Sequence, residues 1–265
     1  DTVPFGTEFD VNAIGYEWMN HSLAAHNPQE ADHDLRVKVG GPDCTQPYEA
    51  SILNISAMSY GALSKNAVLA LNGGAKLGSF AHNTGEGSIS PFHLEPGGDL
   101  IWQIGTGYFG CRDDHGDFSL DLLVETTNKH SSIRALEIKL SQGAKPGLGG
   151  ILPASKITPE ISKIRGIPMG EDCISPSSHS AFSDADSLLD FVEQLAEATG
   201  LPVGIKSAVG EMDLWHDLAR LTDTTERGLD FITIDGGEGG TGAGPLVFTD
   251  RVALPFKIGM SRVYR

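Results

Sequence analysis

The stretch FITIDGGEGGTGAGP (231–245) joins a short apolar run to an acid and then to six glycines. It reads as a strand whose C-terminal end opens into bare backbone, where N–H groups approach an anion with no Cβ in the way. Working outward, further runs of strand character are VGIKSAV (203–209), CISP (173–176), ALEIKLS (135–141), SFAHN (79–83) and LNISAMS (53–59). Helical stretches lie between them. SKNAVLALNGGAKLG follows the first run. SDADSLLDFVEQLAEATG follows CISP, with Ser183 or Asp184 to cap it, Asp186 in its first turn, and Gly200 with Pro202 to close it. Alternating strands and helices predict βα units around a parallel sheet.

The fold class expected is therefore α/β, a (β/α)8 TIM barrel of which about six units are present and which is incomplete at its C-terminus. Either another segment or chain is expected to complete it or, the favoured expectation, the sequence is part of a longer polypeptide. Residues 1–50 carry Pro, Asn, Asp and Gly throughout, with one extended run at 35–39. They predict a loop-rich arm with one hairpin, packed on a barrel of residues 51–265.

A chain of 265 residues with 40% hydrophobic content supports one sizeable core. The net charge of −16 argues against nucleic acid or an anionic membrane as main partner and favours a small-molecule substrate. Cys44, Cys111 and Cys173 are far apart and lack metal-ligand spacing, which predicts reduced thiols, no metal site and a cytoplasmic setting. No apolar run is long enough to cross a membrane.

The glycine run satisfies GxGxxG through Gly237, Gly239 and Gly242. Pro245 and an expected loop stand where a dinucleotide-binding helix would begin, so that reading is rejected. IKLSQGAKPGLGG (138–150) sets Lys139, Gln142 and Lys145 at a strand's C-terminal end, where barrels carry their chemistry. Lys206 lies midway along an apolar strand and needs a partner. Glu86, between glycines in AHNTGEGSISPFH (81–93), is a candidate for substrate contact or proton handling. Ser178, His179 and Asp184 invite a hydrolase triad, but no GxSxG elbow accompanies them. Tyr60 and Trp102 are expected to pack, as is Met58 unless the small residues around it receive a flat ring system.

Taken together, NISAMSYGALS, HNTGEGSISP, IKLSQGAKPGLGGILPASKITPEISKIRG, CISPSSHSAFS and DGGEGGTGAGPL resemble the FMN-binding domain of glutamate synthase over residues 50–255. GTEFDVNAIGYEWMNHS and GGDLIWQIGTGYFGCR are most similar to the stand-alone members of that family. The resemblance implies an FMN-binding barrel that reductively aminates 2-oxoglutarate to glutamate, with a 3Fe-4S cluster relaying electrons. It places Ala57, Met58 and Ser59 against the flavin, Gln142 and Lys206 at its ring, and Gly239, Gly240, Thr241 and Gly242 at its phosphate. It places Glu86, Lys145 and Arg165 at the oxo-acid, the last two on its carboxylates.

Three departures qualify these implications. Ile151 stands where the large glutamate synthases carry glutamine, which removes one polar substrate contact. None of the three cysteines matches a cluster ligand, so the resemblance implies no iron–sulfur cluster on this chain. The strands carrying half of the phosphate grip, and an N-terminal cysteine for glutamine hydrolysis, are not present in this sequence. The partners implied are an oxo-acid, an amine or ammonia source, and an electron-donor protein or NAD(P)H-linked subunit, in a homo-oligomer or multi-subunit complex. The alternatives are an N-methylglutamate synthase-like amine-transfer subunit and a cofactor-free structural remnant.

Overall fold

The computed structural model describes residues 6–241 and 243–265, in two units, the first ending at Leu35 and the second spanning Arg36–Arg265. The first has one 3-10 turn, Pro28–Glu30, where the Asn27 side chain accepts from the Gln29 N–H at 3.2 Å. In the second, strands β1 (Arg36–Val39) and β2 (Tyr48–Ser51) form an antiparallel pair, Arg36 opposite Ser51.

The remaining elements follow in order: α1 (Lys65–Gly78), β3 (Ala81–Asn83), α2 (Pro91–Leu94), β4 (Asp99–Ile104), α3 (Leu120–Lys129) and β5 (Ile133–Lys139). Then come β6 (Ile151–Leu152), a 3-10 turn (Ala154–Lys156), α4 (Pro159–Arg165), β7 (Cys173–Ile174), α5 (Ala185–Thr199), β8 (Val203–Ala208), α6 (Asp213–Thr224), β9 (Phe231–Asp235), α7 (Leu246–Arg251) and α8 (Phe256–Tyr264). Strands β3, β4, β5, β8 and β9 make one parallel sheet in that order, and Ile55 extends it by a parallel bridge to His82. Strand order that follows the chain without reversal is singly wound, an arc of a (β/α) barrel rather than a doubly wound sheet.

Two strand expectations are corrected. LNISAMS is not a strand, and Ile55 within it pairs only as an isolated bridge. CISP is not in the barrel: Cys173 and Ile174 pair antiparallel with Leu152 and Ile151 in a separate two-stranded insertion. Ser175 N–H still bonds to Gly150 O at 2.9 Å, and Pro176, which has no N–H to give a ladder, comes next. The barrel strand in its stead is DLIWQI (99–104), which hydropathy conceals because Gln103 is polar yet buried. The glycine run is followed by the six-residue helix α7 where a loop was expected.

Helix α5 forms where the capping residues dictate. Asp184 accepts from the Ser187 N–H at 2.8 Å, Gly200 closes the helix in the left-handed conformation, and Leu188, Leu189, Val192 and Leu195 face inward at helical spacing. They pack with Trp102, Leu136, Ile138 and Ile205 from the sheet in the principal core.

The sheet's other face is polar. Glu137, 2% exposed, accepts from Asn83 Nδ2 and Gln103 Nε2 through Oε1, and from Thr233 Oγ1 through Oε2, each at 2.7 Å. One carboxylate thereby ties β3, β4, β5 and β9 together. Glu137→Leu strands two buried amide donors and the half-buried Thr233 hydroxyl and is expected to lose roughly 3 kcal/mol of unfolding free energy in urea titration. Glu137→Gln loses less, because the Thr233 hydroxyl can turn and accept; equal stability of the Leu variant and the parent would disprove the tie.

Candidate functional site

A cavity of about 610 Å³ opens where the C-terminal ends of the parallel strands meet, and Ala57, Met58, Ser59, Glu86, Gln142, Lys145, Arg165, Lys206, Gly239, Gly240 and Thr241 all line it. Gly242 lies outside the described residues. The strand register explains the convergence: Lys139 stands beside Lys206 across β5 and β8, and Lys206 beside Thr233 across β8 and β9.

Glu86 follows β3 and binds Lys139 Nζ through Oε1 at 3.0 Å; the same ammonium donates to Gln142 Oε1 at 3.1 Å. Gly105 and Gly150 make room for this carboxylate, since a Cβ on either would lie 2.7 Å from one of its oxygens. Lys206 meets Asp235 Oδ2 at 3.0 Å, the counter-charge that a lysine 7% exposed requires. Asp235 ends β9 on the face of Thr233, so sheet pairing alone brings it to Lys206.

Lys145 and Arg165 have no carboxylate partner among the described residues. The Lys145 ammonium, 4% exposed, donates to Gly149 O at 2.6 Å. Burial pushes its pKa down and neighbouring Lys139 adds to this, while Glu86 acts oppositely. Arg165, the last residue of α4, donates to Tyr60 O at 3.0 Å, and its Nε finds no acceptor among the described residues. Burial acts against its charge as well, offset in part by Cys173 and Glu86. The cavity thus holds two buried cationic side chains without a carboxylate partner among the described residues.

The backbone of residues 57–59 is held from behind. Met58 N–H donates to Asn83 O at 3.1 Å, and Met58 O lies 2.9 Å from His93 Nε2. Gly85, at φ +68°, lies so close that a Cβ there would be 2.8 Å from Ser59 N. Met58 therefore belongs to the cavity wall. Trp102 packs in the core, and Tyr60 packs edge-on to Phe92 and donates to Glu160 at 2.6 Å, with burial pushing its hydroxyl up to about 12.

Ser178, His179 and Asp184 do not form a triad. His179 Nδ1 lies 3.0 Å from Tyr108 Oη, its Nε2 lies 2.8 Å from Lys139 O, and Asp184 caps α5. Cys111 is in the core with burial pushing its thiol up to about 12, Cys44 donates to Gly200 O at 3.4 Å, and Cys173 adjoins Arg165. Among the described residues no three His, Cys, Asp or Glu side chains are grouped to hold a metal, and no helix is long and apolar enough to cross a membrane.

Fold and site together define a (β/α)-barrel domain with a polar, cation-lined cavity at its strand ends. The conserved region in glutamate synthase matches residues 41–265. The chain is 41% identical over 224 residues to the glutamate synthase large subunit-like protein YerD of Bacillus subtilis, covering 84% of this chain and 42% of that protein. It is 36% identical over 237 residues to an archaeal-type glutamate synthase [NADPH] of Thermotoga maritima, covering 88% and 43%. An archaeal glutamate synthase [NADPH] of Methanocaldococcus jannaschii is 38% identical over 79% of this chain and 38% of its own length. The chain belongs to the glutamate synthase family, and it spans less than half the length of these relatives.

The buried imidazoles give stability a pH dependence. Burial first, and His93 second, lower His82 from 6.5 to about 4, and burial shifts His93 and His179 the same way. Below about 6.5 the unfolded chain binds protons that the fold refuses, so stability is complete above that pH and declines toward pH 4. Thermal unfolding across this range should fall less steeply for His82→Leu than for the parent. Parallel curves would show that His82 contributes nothing to the decline.

Proposed function

We propose that the protein is an FMN-dependent oxidoreductase of glutamate synthase type that reductively aminates 2-oxoglutarate, or a related oxo-acid or imine, to glutamate. The observation that supports this most is convergence: one cavity gathers carboxylate-binding cations, a carboxyl for proton handling, and glycine-rich backbone from six separate segments.

The residues present fit FMN on structural grounds. The cavity lies within the roughly 300–1,000 Å³ typical of cofactor sites. Gly85 leaves the Ser59 backbone uncovered, and the N–H groups of Gly239, Gly240 and Thr241 donate to no described residue, as a phosphate cradle requires. Ala57, Met58 and Ser59 would face the ring, Gln142 and Lys206 its polar edge, and Gly239, Gly240, Thr241 and Gly242 its phosphate. Bound FMN supplies the electron pair that reduces a carbon–nitrogen double bond.

The chain's own residues do the rest. Arg165 offers a planar fork to one carboxylate, and Lys145 offers a point charge to another. Glu86, held by Lys139, exchanges a proton with the nitrogen or oxygen at the reacting carbon. Lys206, kept in place by Asp235, would hold its ammonium at the ring's polar edge, where a positive charge suits an electron-rich ring. In balance, the oxo-acid, ammonia, two electrons and two protons give the amino acid and water. The electrons come from a donor protein or an NAD(P)H-linked subunit. Ile151 places an apolar wall in the cavity, which extends the reading to related oxo-acids.

Titration of the purified protein with FMN, followed by flavin absorbance and fluorescence quenching, tests this reading, which fails if no flavin binds. Lys206→Met should weaken FMN binding about tenfold or more, equivalent to about 1.4 kcal/mol. Unchanged affinity and unchanged reduction kinetics would remove Lys206 from the ring.

Arg165→Lys should raise the oxo-acid KM by one to two orders of magnitude, roughly the value of a lost bidentate ion pair, while FMN affinity stays within about threefold. Equal losses in both would count against a substrate role for Arg165.

A further inference from the structure

His93 touches neither the cations nor the glycine run, yet it controls a peptide on the cavity wall. It lies on α2, fully buried, with Nδ1 3.1 Å from Ser90 N and Nε2 2.9 Å from Met58 O. A backbone N–H can only donate, so Nδ1 accepts; the proton sits on Nε2 and is given to the Met58 carbonyl. The neighbouring ring of His82, centroid 5.3 Å away, is also fully buried and has no hydrogen-bond partner among the described residues. No described acid is bonded to either imidazole to favour a charged His93.

The polar groups around the Met58–Ser59 peptide are almost all committed. Met58 N–H goes to Asn83 O at 3.1 Å, Met58 O accepts from His93, and Ser59 O accepts from Leu63 N–H at 3.0 Å. Ser59 N–H alone donates to no described residue. In a trans peptide it points opposite to the Met58 carbonyl and hence away from His93. Ser59 and Gly85 both line the cavity, and because a Cβ at position 85 would lie 2.8 Å from Ser59 N, glycine there leaves that nitrogen uncovered by a side chain.

We propose that His93 is a positioning residue: by holding the Met58 carbonyl it fixes the orientation of the peptide whose free Ser59 N–H meets an acceptor atom of the bound cofactor. This rests on the FMN reading of the cavity. His93 touches no cofactor or substrate atom and acts only through the peptide it holds.

Two variants separate the contacts on either side of the imidazole: Nδ1 with Ser90 N–H and, at 2.8 Å, Ser90 Oγ, and Nε2 with Met58 O. In His93→Gln the side-chain amide reaches the place of Nε2 and can donate to Met58 O, while the Ser90 N–H loses its acceptor. In His93→Asn the amide stops at the place of Nδ1, keeping the Ser90 bond and losing Met58. FMN titration should give His93→Gln an affinity within about threefold of the parent and His93→Asn a loss of about tenfold, the worth of one hydrogen bond. Equal affinities for the two variants would overturn the proposal, because a merely structural role would not distinguish them. Absence of FMN binding by the parent would be the failure of the cofactor reading itself, and this proposal would fall with it.

A second measurement does not depend on how the variants fold. Imidazole ¹⁵N resonances of the parent should report the Nε2–H tautomer and should shift for His93 as FMN is added. Resonances that stay fixed through saturation, or that report the other tautomer, would overturn it.

Discussion

A single buried carboxylate decides how the inside of this barrel is furnished. Glu137 takes donors from β3, β4 and β9 while standing on β5, so four of the five strands in the sheet are registered against one another through two oxygens. Such a group is tolerable only when each lone pair it buries is used, and an apolar core on that face would exclude it. Side chains on a strand alternate between faces, so the face that accepts Glu137 also carries Lys139, Lys206, Thr233 and Asp235 toward the strand ends. The polar cavity continues the polar seam that joins the strands.

The charges at the mouth of that seam divide into two kinds. Lys139 with Glu86, and Lys206 with Asp235, are pairs the chain completes by itself at 3.0 Å. These pairs hold their members in place and leave little net field. Lys145 and Arg165 are buried as deeply without a carboxylate partner among the described residues, bonded to carbonyl oxygens, with Cys173 also beside Arg165. Burial without a counter-ion lowers the pKa of both, a destabilisation that an arriving carboxylate would reverse. In the proposed function Lys206 would serve the cofactor ring and Lys139 would hold the proton-handling Glu86, while the unpaired Lys145 and Arg165 would meet the substrate.

Much of the candidate site was legible because strand-end chemistry has a local signature. Glycine-flanked Glu86, the lysines around Gly143, and Lys206 within VGIKSAV stand out by type and position, and each lines the cavity. Their partners were not legible. Asp235 reads as the last residue of a strand until the pairing of β8 with β9 puts it beside Lys206. Gln103 made DLIWQI look unlike a barrel strand, although its burial is satisfied by Glu137 from the next strand. CISP erred the other way, with an apolar pattern too short to reveal that its partner is Ile151–Leu152. Periodicity reports what a residue prefers to face, whereas register reports whom it meets, and only the first is encoded locally.

The glycines around Glu86 show why neither level suffices alone. In the sequence Gly85, Gly105 and Gly150 look like unrelated turns. In the fold, Gly105 and Gly150 leave the space occupied by the Glu86 carboxyl, and Gly85 leaves the space beside Ser59. A methyl group at either of the first two would press on the carboxyl that Lys139 holds, and one at Gly85 would cover a backbone donor. Gly85 also adopts φ +68°, where an L side chain is strained as well as obstructive. Conformational freedom and empty volume are thus required together at this wall, by a carboxylate and a peptide that would otherwise be filled in or turned aside.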